Sequence, residues 1–216
     1  MRYKAVVFDF DYTLGDGTVP ITNAILEALR RMGRLKLPDR ETVRRTIGHP
    51  LQDAYTMLTG DRDPDRRERF AAIFREVARV IEETVLLPGA RELLTELNDA
   101  GVKMAIVSTK GERHLKGVTA HLGLAPLFTT LISSDDVPRE KPDPAGLLLA
   151  LERLGVEKHE AIYVGDTVID AETAFRAGVA FAAVTTGTTP EEDFARWPSV
   201  CIARDLDTLG LWLASR

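Results

Sequence analysis

The stretch Ala5-Val6-Val7-Phe8-Asp9-Phe10-Asp11-Tyr12-Thr13 decides how the rest of the chain is interpreted. Its apolar first half, from Ala5 to Phe8, predicts a short buried strand. Two carboxylates, Asp9 and Asp11, follow one residue apart, where the strand opens into a loop. In an open parallel sheet this edge binds ligands, and Mg²⁺ is one positive partner that holds paired carboxylates together. A strand-to-turn junction with two solvated acids is the alternative, because so short a motif occurs by chance.

The composition of the 216 residues is typical of a globular protein. Hydrophobic residues make up 44%, and the formal net charge is −5, so we expect a packed core and no nucleic-acid partner. The single cysteine, Cys201, cannot form an internal disulfide, which suits the cytoplasm. The sequence opens without a secretion signal and has no apolar run of membrane-spanning length, so we expect a cytoplasmic protein without membrane contact.

Helical patterns fill residues 16–84, which contain no convincing strand. The predicted helices lie at residues 21–32, 40–47 and 51–58, and a long helix starts at Asp63-Pro64 with an apolar stripe that extends to Ile81. The segment Gly15–Thr18 is predicted to be a turn.

Apolar strands alternate with helices from Leu86 onward. The predicted strands lie at residues 102–107, 128–133, 161–164 and 179–184. Two helix starts are predicted from capping signals, at Asp143-Pro144 and at Thr189-Pro190-Glu191-Glu192. This alternation predicts an α/β fold with a doubly wound parallel sheet and an inserted all-helical domain. The predicted bounds are residues 1–15 and 85–216 for the core and 16–84 for the insertion.

Polar residues follow the predicted strands at the points where they end. Their types and order suit a phosphate held on a metal, because carboxylates bind Mg²⁺ while a hydroxyl and an ammonium contact phosphoryl oxygens. Since the carboxyl ends of parallel strands share one edge of the sheet, groups far apart in sequence can converge there. The first strand is followed by Asp9 and Asp11. The polar groups that follow the later strands are Ser108-Thr109-Lys110, Lys141-Pro142-Asp143-Pro144, and Gly165-Asp166-Thr167 with Asp170.

With these four motifs in order, the whole chain resembles the haloacid dehalogenase superfamily of phosphohydrolases. Residues 16–84 look like the small helical cap of its first type. The second, third and fourth motifs are most similar to those of phosphoglycolate phosphatases and their pyrophosphatase and phosphomutase relatives. One departure is Asp16-Gly17, where the family usually has Asp-Ser after the first motif.

The resemblance implies a role for each motif residue. Asp9 would be the nucleophile, Asp11 the general acid and then the general base, and Lys141 would offset charge on Asp9 and on the phosphoryl group. Mg²⁺ would be held by Asp9, Asp11 and Asp166, with Asp170 binding it through water or orienting Lys141. Substrate contacts would come from Ser108, Thr109 and Lys110, and from His49 in the cap loop Gly48-His49-Pro50.

Three functions stay open at this point. The first is a Mg²⁺-dependent phosphatase acting on a small anionic phosphorylated substrate, with a pyrophosphatase as a close variant. The second is a sugar-phosphate mutase, and the third is a non-catalytic phosphate-binding switch. Each position also has a plainer interpretation: Asp170 as a first-turn helix acid, Ser108 as a strand-end hydroxyl, Lys110 as a solvated side chain. The oligomeric state, monomer or homodimer, is open as well.

Overall fold

The computed structural model describes residues 2–216. Contacts between Cα atoms divide the chain into two units. One unit comprises the chain up to Asp16 together with Val85–Arg216, and the other comprises Gly17–Thr84.

A six-stranded parallel sheet forms the centre of the first unit. The strands in chain order are β1 (Ala5–Phe8), β2 (Gly15–Asp16), β3 (Val85–Leu86), β4 (Lys103–Val107), β5 (Thr130–Ile132), β6 (Ala161–Gly165), β7 (Ala180–Val184) and β8 (Cys201–Ala203). The order across the sheet is β5-β4-β1-β6-β7-β8, and Val6 of β1 pairs with Met104 on one side and Ile162 on the other. The predicted doubly wound parallel sheet is confirmed. The chain leaves β1 at the point where the strand order reverses, which is the usual ligand-binding edge of such sheets.

The helices in chain order are α1 (Thr18–Arg31), α2 (Arg40–Arg44), α3 (Leu51–Thr59), α4 (Pro64–Val77), α5 (Val80–Glu83), α6 (Ala90–Asp99), α7 (Glu112–His121), α8 (Ala145–Leu154), α9 (Val168–Ala177) and α10 (Leu206–Ala214). Helices α6–α10 belong to the first unit and cover both faces of its sheet. Alternate strand residues point to opposite faces, so Val6 and Phe8 pack with α6, α7 and α10, while Val7 and Tyr163 pack with α8 and α9. The central strands β1, β4, β6 and β7 are therefore buried on both sides, as their continuous apolar sequences indicate.

The second unit, Gly17–Thr84, consists of helices α1–α5, as the sequence predicts. The N-cap of α4 is Asp63, whose carboxylate accepts a hydrogen bond from the Arg66 amide at 2.9 Å, and Pro64 follows in the first helical turn. The prediction that this helix continues to Ile81 is wrong. The helix ends at Val77, Ala78 has extended backbone angles of −70° and 125°, and the short helix α5 contains Ile81.

Three other local predictions differ from the structure, and two elements were not predicted. The segment Gly15–Thr18 is not a simple turn, because Gly15–Asp16 forms β2 and pairs with β3. Asp143 accepts a hydrogen bond from the Ala145 amide at 3.0 Å, but Pro144 occupies the N-cap position of α8. Thr189 does not cap a helix, since the 3₁₀ turn at Glu191–Arg196 begins after Pro190 without a side-chain cap. The sequence analysis also missed β8 and α10, which complete one edge and one face of the sheet.

None of the helices within residues 2–216 has both the length and the apolar character that crossing a membrane requires.

Candidate active site

Four motif residues converge in the first unit at the carboxyl edge of the sheet. Asp9 follows β1, Asp166 follows β6, Asp170 lies in the first turn of α9, and Lys141 lies in the segment between β5 and α8. These side chains are almost completely withdrawn from solvent, since none is more than 7% exposed. Charged groups at such depth need partners, because an isolated buried charge is very costly.

Lys141 is the centre of the cluster. Its Nζ atom lies 2.8 Å from Asp9 Oδ1 and 2.7 Å from Asp170 Oδ1, and it donates to Tyr163 Oη at 3.3 Å. Burial opposes the ammonium charge, but Asp170 and Asp9 outweigh that effect and raise the pKa of Lys141 well above its usual value. A permanent cation therefore lies against the candidate nucleophile Asp9.

Asp170 is both a helix cap and a partner of Lys141. Thr167 and Asp170 form a capping box at the start of α9, in which Asp170 Oδ2 accepts from Thr167 Oγ1 at 2.6 Å and from the Thr167 amide at 3.1 Å. Asp170 Oδ1 accepts from Lys141 and from Tyr163 Oη, the latter at 2.9 Å. Both oxygens are thus occupied by protein donors, which favours the Lys141-orienting role over direct metal ligation.

Asp9 and Asp166 are carboxyl groups with raised pKa values. Burial raises the pKa of Asp9 to about 7, in spite of the opposing effect of Lys141. Burial, with the nearby charges of Asp170 and Asp9, raises the pKa of Asp166 well above its usual range. The cluster therefore contains more carboxyl groups than Lys141 alone can keep ionised.

The donor set fits a hard divalent cation. One carboxylate oxygen each from Asp9, Asp166 and Asp170 lie within 4.8 Å of one another. Asp166 Oδ1 accepts from Thr13 Oγ1 at 3.3 Å, whereas the buried Oδ2 has no hydrogen-bond partner within residues 2–216. Because a buried unpaired carboxylate oxygen is costly, Asp166 Oδ2 is the atom of this cluster best suited to bind a cation, and oxygen ligands of this kind suit Mg²⁺.

Asp11 and Lys110 form a second buried ion pair. Lys110 Nζ lies 2.9 Å from Asp11 Oδ1, and both side chains are less than a tenth exposed. The same ammonium lies 5.5 Å from the centre of the Phe10 ring. Lys110 is therefore not a solvated surface lysine, and the geometry ties it to the candidate acid–base residue.

Ser108 and Thr109 begin the loop that follows β4. Ser108 is buried, its hydroxyl accepts a hydrogen bond from the Lys110 amide at 3.2 Å, and its own amide donates to Ile132 O. Thr109 is partly exposed between Ser108 and Lys110. His49 is half-buried between α2 and α3 and belongs to the unit Gly17–Thr84, so its role in substrate selection stays a prediction.

Sequence reasoning missed Tyr163, Thr186 and Gly187. Tyr163 lies three residues before Asp166, and its hydroxyl bridges Lys141 and Asp170. Nothing distinguishes it in sequence from the apolar residues of β6, apart from its single hydroxyl. Thr186 and Gly187 follow β7, where Thr186 Oγ1 donates to Tyr12 O and Gly187 packs against Asp166.

The buried lysine among aspartates lies at the switch point of the parallel sheet, where folds of this kind bind their ligands. The chain belongs to the haloacid dehalogenase-like hydrolase family, whose sequence profile matches residues 6–184. The four sequence motifs all lie inside this match, and the predicted resemblance is confirmed.

Named relatives narrow the enzyme class. The chain is 33% identical to the phosphoglycolate phosphatase of Pseudomonas savastanoi pv. phaseolicola over 191 residues, which are 85% of this chain and 70% of that protein. It is 33% identical to the N-acetylmuramic acid 6-phosphate phosphatase of Pseudomonas aeruginosa over 204 residues, 91% of this chain and 88% of that protein. The solved structure of a haloacid dehalogenase-like hydrolase from Bacteroides fragilis matches with 35% identity and a TM-score of 0.92, covering 96% of this chain and 99% of that one. The protein is accordingly an enzyme of the phosphatase class.

Proposed function

We propose that this phosphatase hydrolyses a small, phosphoglycolate-like phosphate monoester in a Mg²⁺-dependent reaction through an aspartyl-phosphate on Asp9. The observation that carries the proposal is the 2.8 Å contact between Lys141 Nζ and Asp9 Oδ1 inside a cluster of buried carboxylates. The ammonium favours the ionised, nucleophilic form of Asp9 and opposes the burial that raises the pKa of this carboxyl group to about 7. The curated phosphoglycolate phosphatase relatives support the substrate class.

The proposed chemistry has two steps that share one nucleophile. A carboxylate oxygen of Asp9 attacks phosphorus, the bond from phosphorus to the ester oxygen breaks, and an acyl phosphate forms on Asp9. A water molecule then attacks the same phosphorus, releases inorganic phosphate and restores the Asp9 carboxylate. Lys141 stabilises the negative charge on Asp9 and on the phosphoryl oxygens in both steps.

Asp11 has opposite tasks in these two steps. Its carboxyl group first donates a proton to the leaving alkoxide, so that the product leaves as an alcohol. The resulting carboxylate then takes a proton from the attacking water and is ready for the next substrate. Lys110, at 2.9 Å, fixes the side chain of Asp11, and a phosphoryl group entering the site competes for the same ammonium.

Asp9, Asp166 and the Asp11 region would hold the Mg²⁺ ion. When bound, the ion neutralises carboxylate and phosphoryl charge and thereby brings two anions together. Asp170 contributes by holding Lys141 in place. The Ser108 hydroxyl, Thr109 and the Lys110 ammonium are the proposed contacts to the phosphoryl oxygens, since these residues follow β4 at the same edge of the sheet.

A sugar phosphate is the second candidate substrate. The N-acetylmuramic acid 6-phosphate phosphatase relative aligns with a larger share of this chain than the phosphoglycolate phosphatase does, at the same identity. The reacting group is a phosphate monoester in both, so the core residues cannot distinguish them. The proposed selector is the helical unit with its loop Gly48-His49-Pro50.

The test is a phosphate-release screen on the purified chain. The panel contains phosphoglycolate, N-acetylmuramic acid 6-phosphate, hexose phosphates and pyrophosphate, each with Mg²⁺ and with EDTA, for the wild type and Asp9→Asn. We expect release from a small monoester that both EDTA and Asp9→Asn abolish. Full activity of Asp9→Asn would refute the covalent mechanism. Pyrophosphate as the best substrate, or sugar-phosphate isomerisation without phosphate release, would replace the proposal by the pyrophosphatase or the mutase.

A further inference from the structure

The turn that follows β7 lies directly against the proposed metal site. A Cβ atom added to Gly187 would lie 1.8 Å from Asp166 Oδ2 and 2.8 Å from Asp166 Cγ. It would also lie 3.2 Å from the Cβ atom of Tyr12. Gly187 therefore lies between the loop that follows β1 and the Asp166 carboxylate that follows β6, at a position with no room for a side chain.

The reason for glycine here is space and not backbone conformation. The φ angle of Gly187 lies outside the left-handed region, so an L-residue can adopt its backbone without strain. Real Cβ atoms essentially never approach a neighbour closer than 3.0 Å, and the nearest atom is at 1.8 Å, so Asp166 or the turn must move by more than about 1 Å to admit a methyl group. The atom that must give way is the carboxylate oxygen without a hydrogen-bond partner in the described residues.

Gly187 also leaves that oxygen chemically available. Its methylene group is at best a very weak donor, so it shields Asp166 Oδ2 from water without occupying its lone pairs. Thr13 Oγ1 meanwhile holds the other oxygen, Oδ1, at 3.3 Å. A hydrogen bond thus holds Oδ1 of Asp166, while Oδ2 accepts no hydrogen bond from the described residues. This is the arrangement that a cation ligand needs.

A second contact from the same turn holds the loop after β1. Thr186 Oγ1 donates a hydrogen bond to Tyr12 O. Tyr12 has a φ angle of 55°, which is uncommon for a residue other than glycine. This strained residue lies immediately after Asp11, and neighbouring contacts must over-determine its conformation for it to persist.

We propose that the turn Thr185–Gly187 is a positioning element of the metal site, in which Gly187 sets the place of Asp166 and Thr186 sets the loop that carries Asp9 and Asp11. This inference rests on the proposed Mg²⁺ dependence and adds residues that lie outside the four sequence motifs. Neither Thr186 nor Gly187 touches the substrate phosphate in this assignment. Both act through the placement of the carboxylates.

The test measures Mg²⁺ binding without turnover. Metal-free wild type and Gly187→Ala are titrated with MgCl₂, and the rise in the thermal unfolding midpoint gives the apparent affinity, because a ligand that binds the native state stabilises it. We expect Gly187→Ala to need at least about tenfold more Mg²⁺ for the same shift, in line with the usual cost of disturbing the support of a ligand. The matched control is Gly210→Ala in α10, where the added Cβ would meet Leu93 Cδ1 at an ordinary 3.4 Å, and its affinity should equal that of the wild type.

Thr186→Val provides an independent test that does not depend on the folding of Gly187→Ala. It keeps the shape of the side chain but removes the donor to Tyr12 O, and we expect a severalfold weaker Mg²⁺ response. The proposal would be overturned if the Mg²⁺ titration is unchanged in both variants. If Gly187→Ala does not fold, an unchanged Mg²⁺ titration of Thr186→Val alone would overturn it. Phosphate release by the wild type and its loss in Asp9→Asn are scored separately, so failure of the turn to position the metal is distinguishable from failure of the proposed function.

Discussion

Replacing Asp170 by asparagine separates its two roles in the structure. Asp170 caps α9 through Thr167, and it also holds Lys141 against the candidate nucleophile. Asparagine has nearly the same shape but no charge, and its amide nitrogen is a donor where the carboxylate has an acceptor. The change therefore leaves packing intact and alters only hydrogen bonding and charge.

The expected cost follows from the four donors that face the carboxylate. Lys141 Nζ, Tyr163 Oη, Thr167 Oγ1 and the Thr167 amide lie 2.6 to 3.1 Å from its two oxygens. If the asparagine oxygen keeps Lys141 and Tyr163, its NH₂ group faces the Thr167 amide, and that unsatisfied N–H costs about 1–3 kcal/mol. The lost charge at Lys141 adds about 1.5–3 kcal/mol, partly offset because Asp9 remains as its partner. We expect the free energy of unfolding to fall by about 3 kcal/mol.

The chain supplies a matched control in Asp136. Asp136 closes the same kind of capping box, with Ser133, and accepts from the Ser133 hydroxyl at 2.6 Å and its amide at 2.9 Å. Its charged partner is Arg153, at 3.3 Å on the surface, so Asp136→Asn should cost about 1 kcal/mol. The assay is urea unfolding of both variants without metal, with kcat measured in parallel.

The comparison has a clear refuting result. We expect kcat of Asp170→Asn to fall at least tenfold while that of Asp136→Asn stays at the wild-type value, because Lys141 loses its anchor in the first variant alone. Equal unfolding costs for the two variants, together with an unchanged kcat in Asp170→Asn, would mean that Asp170 is no more than a helix cap.

Three further predictions concern other parts of the protein. Tyr163→Phe removes a hydroxyl that contacts Asp170 and Lys141, so kcat should fall severalfold with KM unchanged and stability should drop by about 1 kcal/mol; an unaltered kcat would contradict this. Because the native pKa of Asp9 is raised to about 7, the metal-free native state holds a proton that the unfolded chain releases between about pH 4 and 7, and stability should fall as the pH rises through that window, by up to about 4 kcal/mol. Urea unfolding at pH 5 and 8 with EDTA measures this slope, and an undiminished slope in Asp9→Asn would assign it elsewhere. His49→Ala should shift the substrate preference more than the unfolding midpoint, and an unchanged preference profile would remove His49 from the site.

Most of the sheet could be predicted because its strands are apolar throughout and its helices carry clear stop signals. Gly178, for example, ends α9 in the left-handed conformation, and Gly155 ends α8 in the same way. The break at Ala78 could not be predicted, since no glycine or proline marks it and the apolar period continues into α5. The strand β8 has three residues, too few to show a period, whereas Asp205 at the N-cap of α10 is a helix-start signal that the sequence does contain.

The candidate site also has residues that the sequence predicts, which carry charge, and residues that it does not, whose role depends on the shape of the folded chain. Asp9, Asp166 and Lys141 were predictable because buried charged groups at strand ends have few structural explanations. The ion pair of Lys110 with Asp11 was not predictable, since the sequence gives no distance between side chains in the loops that follow β1 and β4. Gly187 could not be predicted either. Its proposed role depends on having no side chain where Asp166 lies close to the backbone, and only the folded structure shows that approach.

The ribbon formed by β2 and β3 has a consequence for how such a protein can change over time. Asp16 and Val85 are directly paired across this antiparallel ribbon, and the Leu87 amide donates to Leu14 O beside it. The chain thus departs for residues 17–84 and returns at neighbouring points, as it would through a hairpin turn. A segment of different length can therefore replace residues 17–84 without altering the spacing that the sheet requires. On the proposal that this unit selects the substrate, an exchange at the junction would change the substrate preference and leave the residues of the sheet edge in place.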